Sequence, residues 1–166
     1  MSLANLQLPP IVLQQLFKQS LVGLKNVEVK SFQTKSTKLS HLGNNGKQIL
    51  VVVTSEEALY LPDEQLNFLV GILSACGLTM EDVAILNIMK NDSVNYLLLN
   101  SELNCTTILL FGVTADKIDL PLNFPTYQVQ KFNNQVYLVA PPLVALQKDK
   151  AEKSKLWNCL KQIFSI

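Results

Sequence analysis

The sequence of 166 residues contains no arginine, and all 14 of its cationic residues are lysines. Arginine supplies the planar fork that reads guanine edges and clamps phosphates, so its absence counts against sequence-specific recognition of DNA. Acidic residues number 13, and the resulting formal net charge of +1 also disfavours strong non-specific binding to nucleic acid. We therefore expect direct contact with nucleic acid to be weak or absent.

Cysteines are few, and long apolar runs are missing. Cys76, Cys105 and Cys159 are widely spaced and odd in number, which fits neither a disulfide framework nor a metal-ligand pattern. We therefore expect buried, reduced thiols, with no metal and no cofactor. No apolar run approaches the roughly 18 residues that span a bilayer, and Pro9-Pro10 interrupts an N-terminus that lacks a basic region. These features predict a cytoplasmic protein that does not enter a membrane.

The sequence does have a clear alternation of apolar strands with amphipathic helices. Ile49 to Val53 is a continuous β-branched and aliphatic run, typical of a strand that is buried on both faces. Similar runs follow at Val83 to Ile88, Thr107 to Phe111 and Val136 to Ala140. Helical patterns separate these runs, and such alternation favours right-handed crossovers. The sequence therefore predicts an α/β fold, a three-layer α/β/α sandwich with a mostly parallel four-stranded sheet.

Several local signals add detail to this prediction. Pro62 and Gly77 bracket a helix, and Asp92 is a candidate cap for a second helix. Tyr127 to Val129 is predicted as a further short strand that precedes a turn at Asn133-Asn134. The last helix is predicted to begin at Asp149, with an apolar face of five residues: Leu156, Trp157, Leu160, Ile163 and Phe164.

Residues 1–47 differ in composition from the core domain that we assign to residues 48–166. A helical pattern runs from Pro10 to Gly23, with an apolar face of Leu13, Leu16, Phe17 and Leu21. This face is a candidate partner-binding surface, because it either packs on its own domain or docks on another protein. Docking on a second copy of the chain would give a homodimer.

A polar segment from Lys25 to Lys47 follows this helix, with five lysines and a single acidic residue, Glu28. It is either a linker or a peripheral hairpin, and Asn45-Gly46 is a turn signal within it. Its lysines either meet solvent or face an acidic or nucleic-acid partner.

Catalytic chemistry would lie at the carboxyl ends of the strands, where ligands bind in sheets of this kind. The candidate residues there are Thr54, Ser55, Glu56 and Glu57 after the first strand, and Asn87 at the end of the second. Glu56 and Glu57 would form an acid–base pair only if their environments differed, and Asn87 either reads a ligand or caps a loop. No phosphate-binding, nucleophile-elbow or Cys-x-x-Cys motif is present. The only histidine, His41, lies in the polar N-terminal segment.

Four motifs, taken in chain order, resemble the uracil-DNA glycosylase superfamily over residues 48–164. They are Gly77-Leu78 with Asp82-Val83 leading to Asn87, Leu109-Leu110-Phe111-Gly112, Val139-Ala140-Pro141-Pro142-Leu143, and Lys153-Ser154-Lys155-Leu156-Trp157. The resemblance implies a glycosylase-like fold. It also implies that the degenerate active-site positions are Thr54, Ser55, Glu56, Glu57, Asn87, Ala140, Pro141 and Pro142.

The sequence departs from the superfamily pattern at residues that a glycosylase uses for base excision. The first loop lacks the glycine- and proline-rich character of a glycosylase, and Ala140 precedes Pro141 where the superfamily has histidine. Base excision needs a shaped polar pocket, so we expect no enzyme activity and no catalytic residue. The closing motifs are most similar to a catalytically silent branch, the psi subunits of bacterial clamp loaders. The resemblance implies a non-enzymatic adaptor with clamp-loader-type protein partners; the alternative is a divergent enzyme that acts on a nucleobase or nucleotide.

Overall fold

The structure is a computed structural model that describes residues 38–166, which form a six-stranded mixed sheet and four α-helices. The strands are β1 (His41–Leu42), β2 (Ile49–Val53), β3 (Val83–Asn87), β4 (Thr107–Phe111), β5 (Val129–Phe132) and β6 (Gln135–Ala140). The helices are α1 (Asp63–Ala75), α2 (Tyr96–Leu103), α3 (Leu143–Lys148) and α4 (Lys150–Phe164). The predicted α/β class is confirmed. Within residues 38–166, none of the helices has the length and hydropathy that a bilayer crossing requires.

The strand order is β1-β3-β2-β4-β6-β5, so the predicted count of four strands is corrected to six. The four inner strands are parallel, and β1 and β5 add to the two edges in antiparallel orientation. The edge strands are short and only partly buried, and so lack the continuous apolar run that marks the inner strands. β5 turns into β6 through Asn133 and Asn134, whose φ angles of 49° and 65° suit a two-residue hairpin.

Helices cover both faces of the sheet. Alternate residues of the inner strands point to opposite sides, so Val51 and Ile85 face one core while Val52 and Leu86 face the other. The first core is closed by α1, α3 and α4. The second core is closed by α2 and by a 3₁₀ helix at Ala115–Ile118. The sheet therefore has a separate hydrophobic core on each face, and each core is covered by its own helices.

Two local predictions are corrected, one at a helix end and one at a strand end. The side chain of Asn95, not Asp92, caps α2, accepting a hydrogen bond from the Leu98 amide at 2.8 Å. Asp149 does cap α4 as predicted, and its carboxylate accepts from the amides of Ala151 and Glu152. The strand predicted at Tyr127–Val129 begins only at Val129 and runs to Phe132.

Residues 38–47 lie in the same compact unit as the α/β core. β1 pairs with β3, and the Asn45 side chain donates to the Leu103 carbonyl at 2.6 Å. Gly43 is required at its turn, because a Cβ there would lie 2.2 Å from the Val83 carbonyl oxygen. These contacts place the start of the described chain against the edge of the sheet.

Candidate functional site

A small cleft opens at the carboxyl ends of β2, β4 and β6, where the strand pattern predicts ligand sites. Thr54 to Glu57 form one wall, and Pro142, Leu143 and Val144 form the opposite wall. Its volume of about 230 Å³ is below the roughly 300 to 1,000 Å³ that is usual for small-molecule sites. The cleft can therefore accept only a small group.

Asn87 lies beneath the cleft wall, fully buried, and holds the loop after β2. Its Oδ1 accepts hydrogen bonds from the amides of Ser55 and Met89, each at 3.1 Å. Its Nδ2 donates to the carbonyls of Ser55, Ala58 and Leu59 at 2.7, 3.1 and 3.3 Å. An amide side chain has two donors and one acceptor oxygen, so these contacts use its whole hydrogen-bonding capacity. Asn87 therefore fastens a loop and has nothing left for a ligand.

The other polar groups of this loop also bond within the loop or to its neighbours. The Ser55 hydroxyl accepts from the Ala58 amide at 3.3 Å, and the Lys90 ammonium donates to the Glu56 carbonyl at 2.9 Å. The side chains of Glu56 and Glu57 are both exposed at the rim. The two carboxylates thus share one solvated setting, whereas a general acid and a general base need different environments.

The opposite wall is closed by a contact between two strand ends. Gly112 follows β4 with φ +67°, and a Cβ there would lie 2.9 Å from Cγ of Pro142. Ala140 is buried at the end of β6, and Pro141 is half-buried beside it. A proline ring and a methyl group can neither accept a proton nor stabilise a leaving anion. This side of the cleft is chemically inert.

His41 lies outside the cleft, and the three cysteines are buried and unreactive. His41 is in the edge strand β1, and its Nδ1 lies 3.1 Å from the Leu39 carbonyl. All three cysteines are buried and free, as predicted. Burial raises the pKa of the Cys105 thiol to about 12 and also raises the pKa of Cys76 and Cys159. A thiol with a raised pKa is a poor nucleophile, because the thiolate is the reactive form.

No family model and no curated protein matches this chain.

A second and larger concave surface lies between α1 and α4, and we call it the helix groove. Its volume is about 480 Å³, roughly twice that of the cleft. The lining is mostly apolar and consists of Asn67, Phe68, Gly71, Ile72, Ala75, Lys153, Leu156, Trp157 and Leu160. Leu156 and Leu160 are buried and belong to the core, whereas Phe68, Ile72 and Trp157 are half-buried. The groove thus continues the hydrophobic core outward to solvent.

Two lysines stand over the aromatic rings of the helix groove. The Lys153 ammonium lies 5.3 Å from the centroid of Phe68, and the Lys161 ammonium lies 5.7 Å from that of Trp157. Within residues 38–166 the ion pairs are Lys47 with Asp82 and Lys155 with Glu152, so neither groove lysine has a carboxylate partner there. Lys153 is one of the lining residues, so the groove has a cation at its margin that makes no ion pair within residues 38–166.

The structure brings together only part of the predicted site. Thr54, Ser55, Glu56, Glu57 and Pro142 line one cleft, whereas Asn87 and Ala140 are buried behind it. The predicted partner-binding face of Leu13, Leu16, Phe17 and Leu21 lies outside the described residues. The helix groove was missed, although the helical spacing of Leu156, Trp157 and Leu160 marks one of its walls. The signal that sequence reasoning passed over is Gly71, a glycine in the middle of a helix.

Proposed function

We propose that this chain is a non-enzymatic adaptor that acts through protein–protein contacts, similar to the psi subunits that bridge a clamp loader and a partner subunit. The observation that carries the proposal is the saturated side chain of Asn87, which holds the loop where the resemblance would place a catalytic site. The wall of Pro142, Leu143 and Val144, which has no acid–base group, supports it from the other side of the cleft. Among residues 38–166, the larger concave surface is the mostly apolar helix groove.

Motif order supports the clamp-loader assignment. The closing motifs from Ala140 to Leu143 and from Lys153 to Trp157 are more similar to psi subunits than to active glycosylases. In the structure the second of these motifs lies on α4, and Lys153 and Trp157 face the helix groove. The residues that carry the resemblance are thus partly surface residues suited to binding.

The test is a reconstitution with purified components. The full chain, mixed with the subunits of a bacterial clamp loader, is expected to co-elute with them in size-exclusion chromatography, and an unrelated chain of similar charge serves as control. Stable co-elution in 150 mM salt, roughly the physiological ionic strength, would support the proposal, because specific contacts outlast weak charge attraction there. Failure to co-elute with any clamp-loader subunit or with single-strand-binding protein would refute it.

A divergent enzyme is the second candidate, because a real cleft with two carboxylates at its rim does exist. Incubation of the chain with uracil-containing DNA would detect it by release of free base. Release that disappears in the double variant Glu56→Gln, Glu57→Gln would establish the enzyme and overturn the adaptor. We expect no release of free base, and we expect the chain to co-elute with the clamp-loader subunits.

A further inference from the structure

We propose that the helix groove binds an amphipathic helix from a partner protein, with the partner's apolar side chains inward and its acidic side chains at the margin. The inference rests on the proposed function only in that the chain binds proteins. It does not require the partner to be a clamp-loader subunit, so the two proposals can fail separately.

The apolar lining favours a protein partner over a small ligand. Phe68 and Trp157 stand on opposite walls, and both are half-buried aromatic side chains of the kind that anchor interfaces. The lining runs from residue 67 to 75 on α1 and from 153 to 160 on α4, about two turns of each helix, which matches two turns of a third helix. Helix-in-groove binding uses this arrangement of a continuous apolar channel between helices.

Gly71 supplies an independent observation. It lies in the middle of α1 and lines the groove, although glycine inside a helix is unfavourable. A Cβ built there would meet no atom within 4 Å, so packing among the described residues does not require a glycine at this position. A missing side chain does allow another backbone to approach closely, as small residues do where helices cross. The glycine is therefore explained by a partner that lies over α1.

The charge at the margin determines the chemistry of that partner. Lys153 and Lys161 lie over the groove aromatics, and neither makes an ion pair within residues 38–166. A partner helix with Glu or Asp beside its apolar stripe would neutralise both lysines, and opposite charge also speeds encounter. A basic helix would be repelled. The occupant we infer is thus an acidic amphipathic helix.

The chain has a built-in reporter, because Trp157 is its only tryptophan and lines the groove. The probes are synthetic peptides of about 16 residues, free of tryptophan, with Leu, Phe or Met at the i, i+3, i+4 and i+7 positions and Glu on the flanks. Titration of the full chain is expected to shift the Trp157 emission to shorter wavelength and to saturate. A peptide of the same composition in scrambled order is the matched control.

Two pairs of variants localise the binding. Gly71→Leu is expected to fill the groove and to weaken peptide affinity at least about tenfold, while the chain stays folded because leucine favours helix. Asn158→Leu adds the same side chain to an exposed position of α4 outside the groove lining and should leave the affinity unchanged. Lys153→Glu should remove the preference for Glu-flanked over Lys-flanked peptides, because the margin then carries Lys161 and a carboxylate of opposite charge, whereas Lys117→Glu, on the opposite face of the sheet, should not.

Each alternative to this inference gives its own experimental result. Equal binding of the ordered and scrambled peptides, or equal loss in Gly71→Leu and Asn158→Leu, would overturn the inference. An emission shift on concentrating the chain alone would identify a second copy as the occupant, and a shift with oligothymidylate alone would identify nucleic acid. Peptide binding without clamp-loader co-elution would keep this inference and refute the proposed function.

Discussion

The cleft and the helix groove are two concave surfaces of one fold, and they differ in how far their side chains are already buried and bonded. In the cleft the central polar group, Asn87, is buried and bonded at both ends of its amide. In the helix groove Phe68 and Trp157 are half-buried, and Lys153 has no anionic partner among the described residues. Within residues 38–166 the central polar group of the cleft is already bonded, whereas the groove leaves aromatic side chains only half-buried.

Position in the fold and unused bonding capacity point to different surfaces of this molecule. The cleft occupies the place where α/β sheets bind ligands, at the carboxyl ends of parallel strands. Its volume of about 230 Å³ and its bonded polar groups nevertheless leave it little to bind. The groove has no such positional precedent, but its apolar surface gains from being covered.

The largest expected effect tests whether the cleft is structural. Asn87→Ala would leave the buried amide of Ser55 and the amide of Met89 without acceptors, and carbonyls of the same loop without a donor. Because each such buried group costs about 1–3 kcal/mol, we expect the free energy of unfolding to fall by about 3 kcal/mol. Urea denaturation measures this loss, and Asn158→Ala on exposed α4 is the control. A stable Asn87→Ala variant would return Asn87 to the list of ligand-binding candidates.

A smaller effect of opposite sign tests whether the groove is open. Gly71→Ala should stabilise the chain by about 1 kcal/mol, because alanine is the better helix former and its Cβ meets no atom within 4 Å. Gly77→Ala is matched in space, since its Cβ would also meet nothing, but φ there is +69°. It should therefore destabilise by about 1 kcal/mol. Thermal unfolding compares the pair, and a destabilised Gly71→Ala variant would mean that the groove floor is already occupied.

The smallest effect concerns two carboxylates, Glu152 on α4 and Glu57 at the rim of the cleft. The Lys155 ammonium, and then the Tyr127 hydroxyl, hold the pKa of Glu152 on α4 below its usual value of 4.5. A lowered folded-state pKa contributes stability that is present above pH 4.5 and is lost as the pH falls through the folded value. Glu152→Gln should therefore flatten the acid side of the stability–pH curve.

The cleft supplies the control for that measurement. Glu57 is exposed at the rim and makes no ion pair within residues 38–166. Glu57→Gln should leave the shape of the acid limb unchanged in chemical denaturation between pH 3 and 5. If Glu57→Gln flattened the limb as much as Glu152→Gln, the cleft carboxylate would have a stabilising partner after all.

The inner sheet could be predicted from sequence because its strands are buried on both faces. Ile49–Val53 and Thr107–Phe111 were predicted with the observed bounds, since a continuous apolar run leaves little choice of structure. β5 was placed too early, because its residues are only partly buried and their pattern is weak. The six-residue helix α3 was missed, because it is too short for a helical period to show and follows two prolines.

The candidate site was only half predictable, for a related reason. Thr54 to Glu57 follow one inner strand and Pro142 follows another, so chain order alone could suggest the cleft that they line. The sequence could not show that Asn87 turns inward and bonds to the loop, because that depends on the path of the backbone between Ser55 and Leu59. The groove depends on how closely α1 and α4 lie side by side on one face of the sheet, which no local pattern records.

The walls of the helix groove come from α1 and α4, which are far apart in sequence and become neighbours only when the sheet has folded. An unfolded chain has no such channel, so a partner that occupies the groove binds the native state alone. By mass action, a partner at 100 times its Kd would then add about 2.7 kcal/mol to the stability. Copies made in excess of the partner would lack this protection and be degraded first, so cellular turnover would match the abundance of the chain to that of its partner.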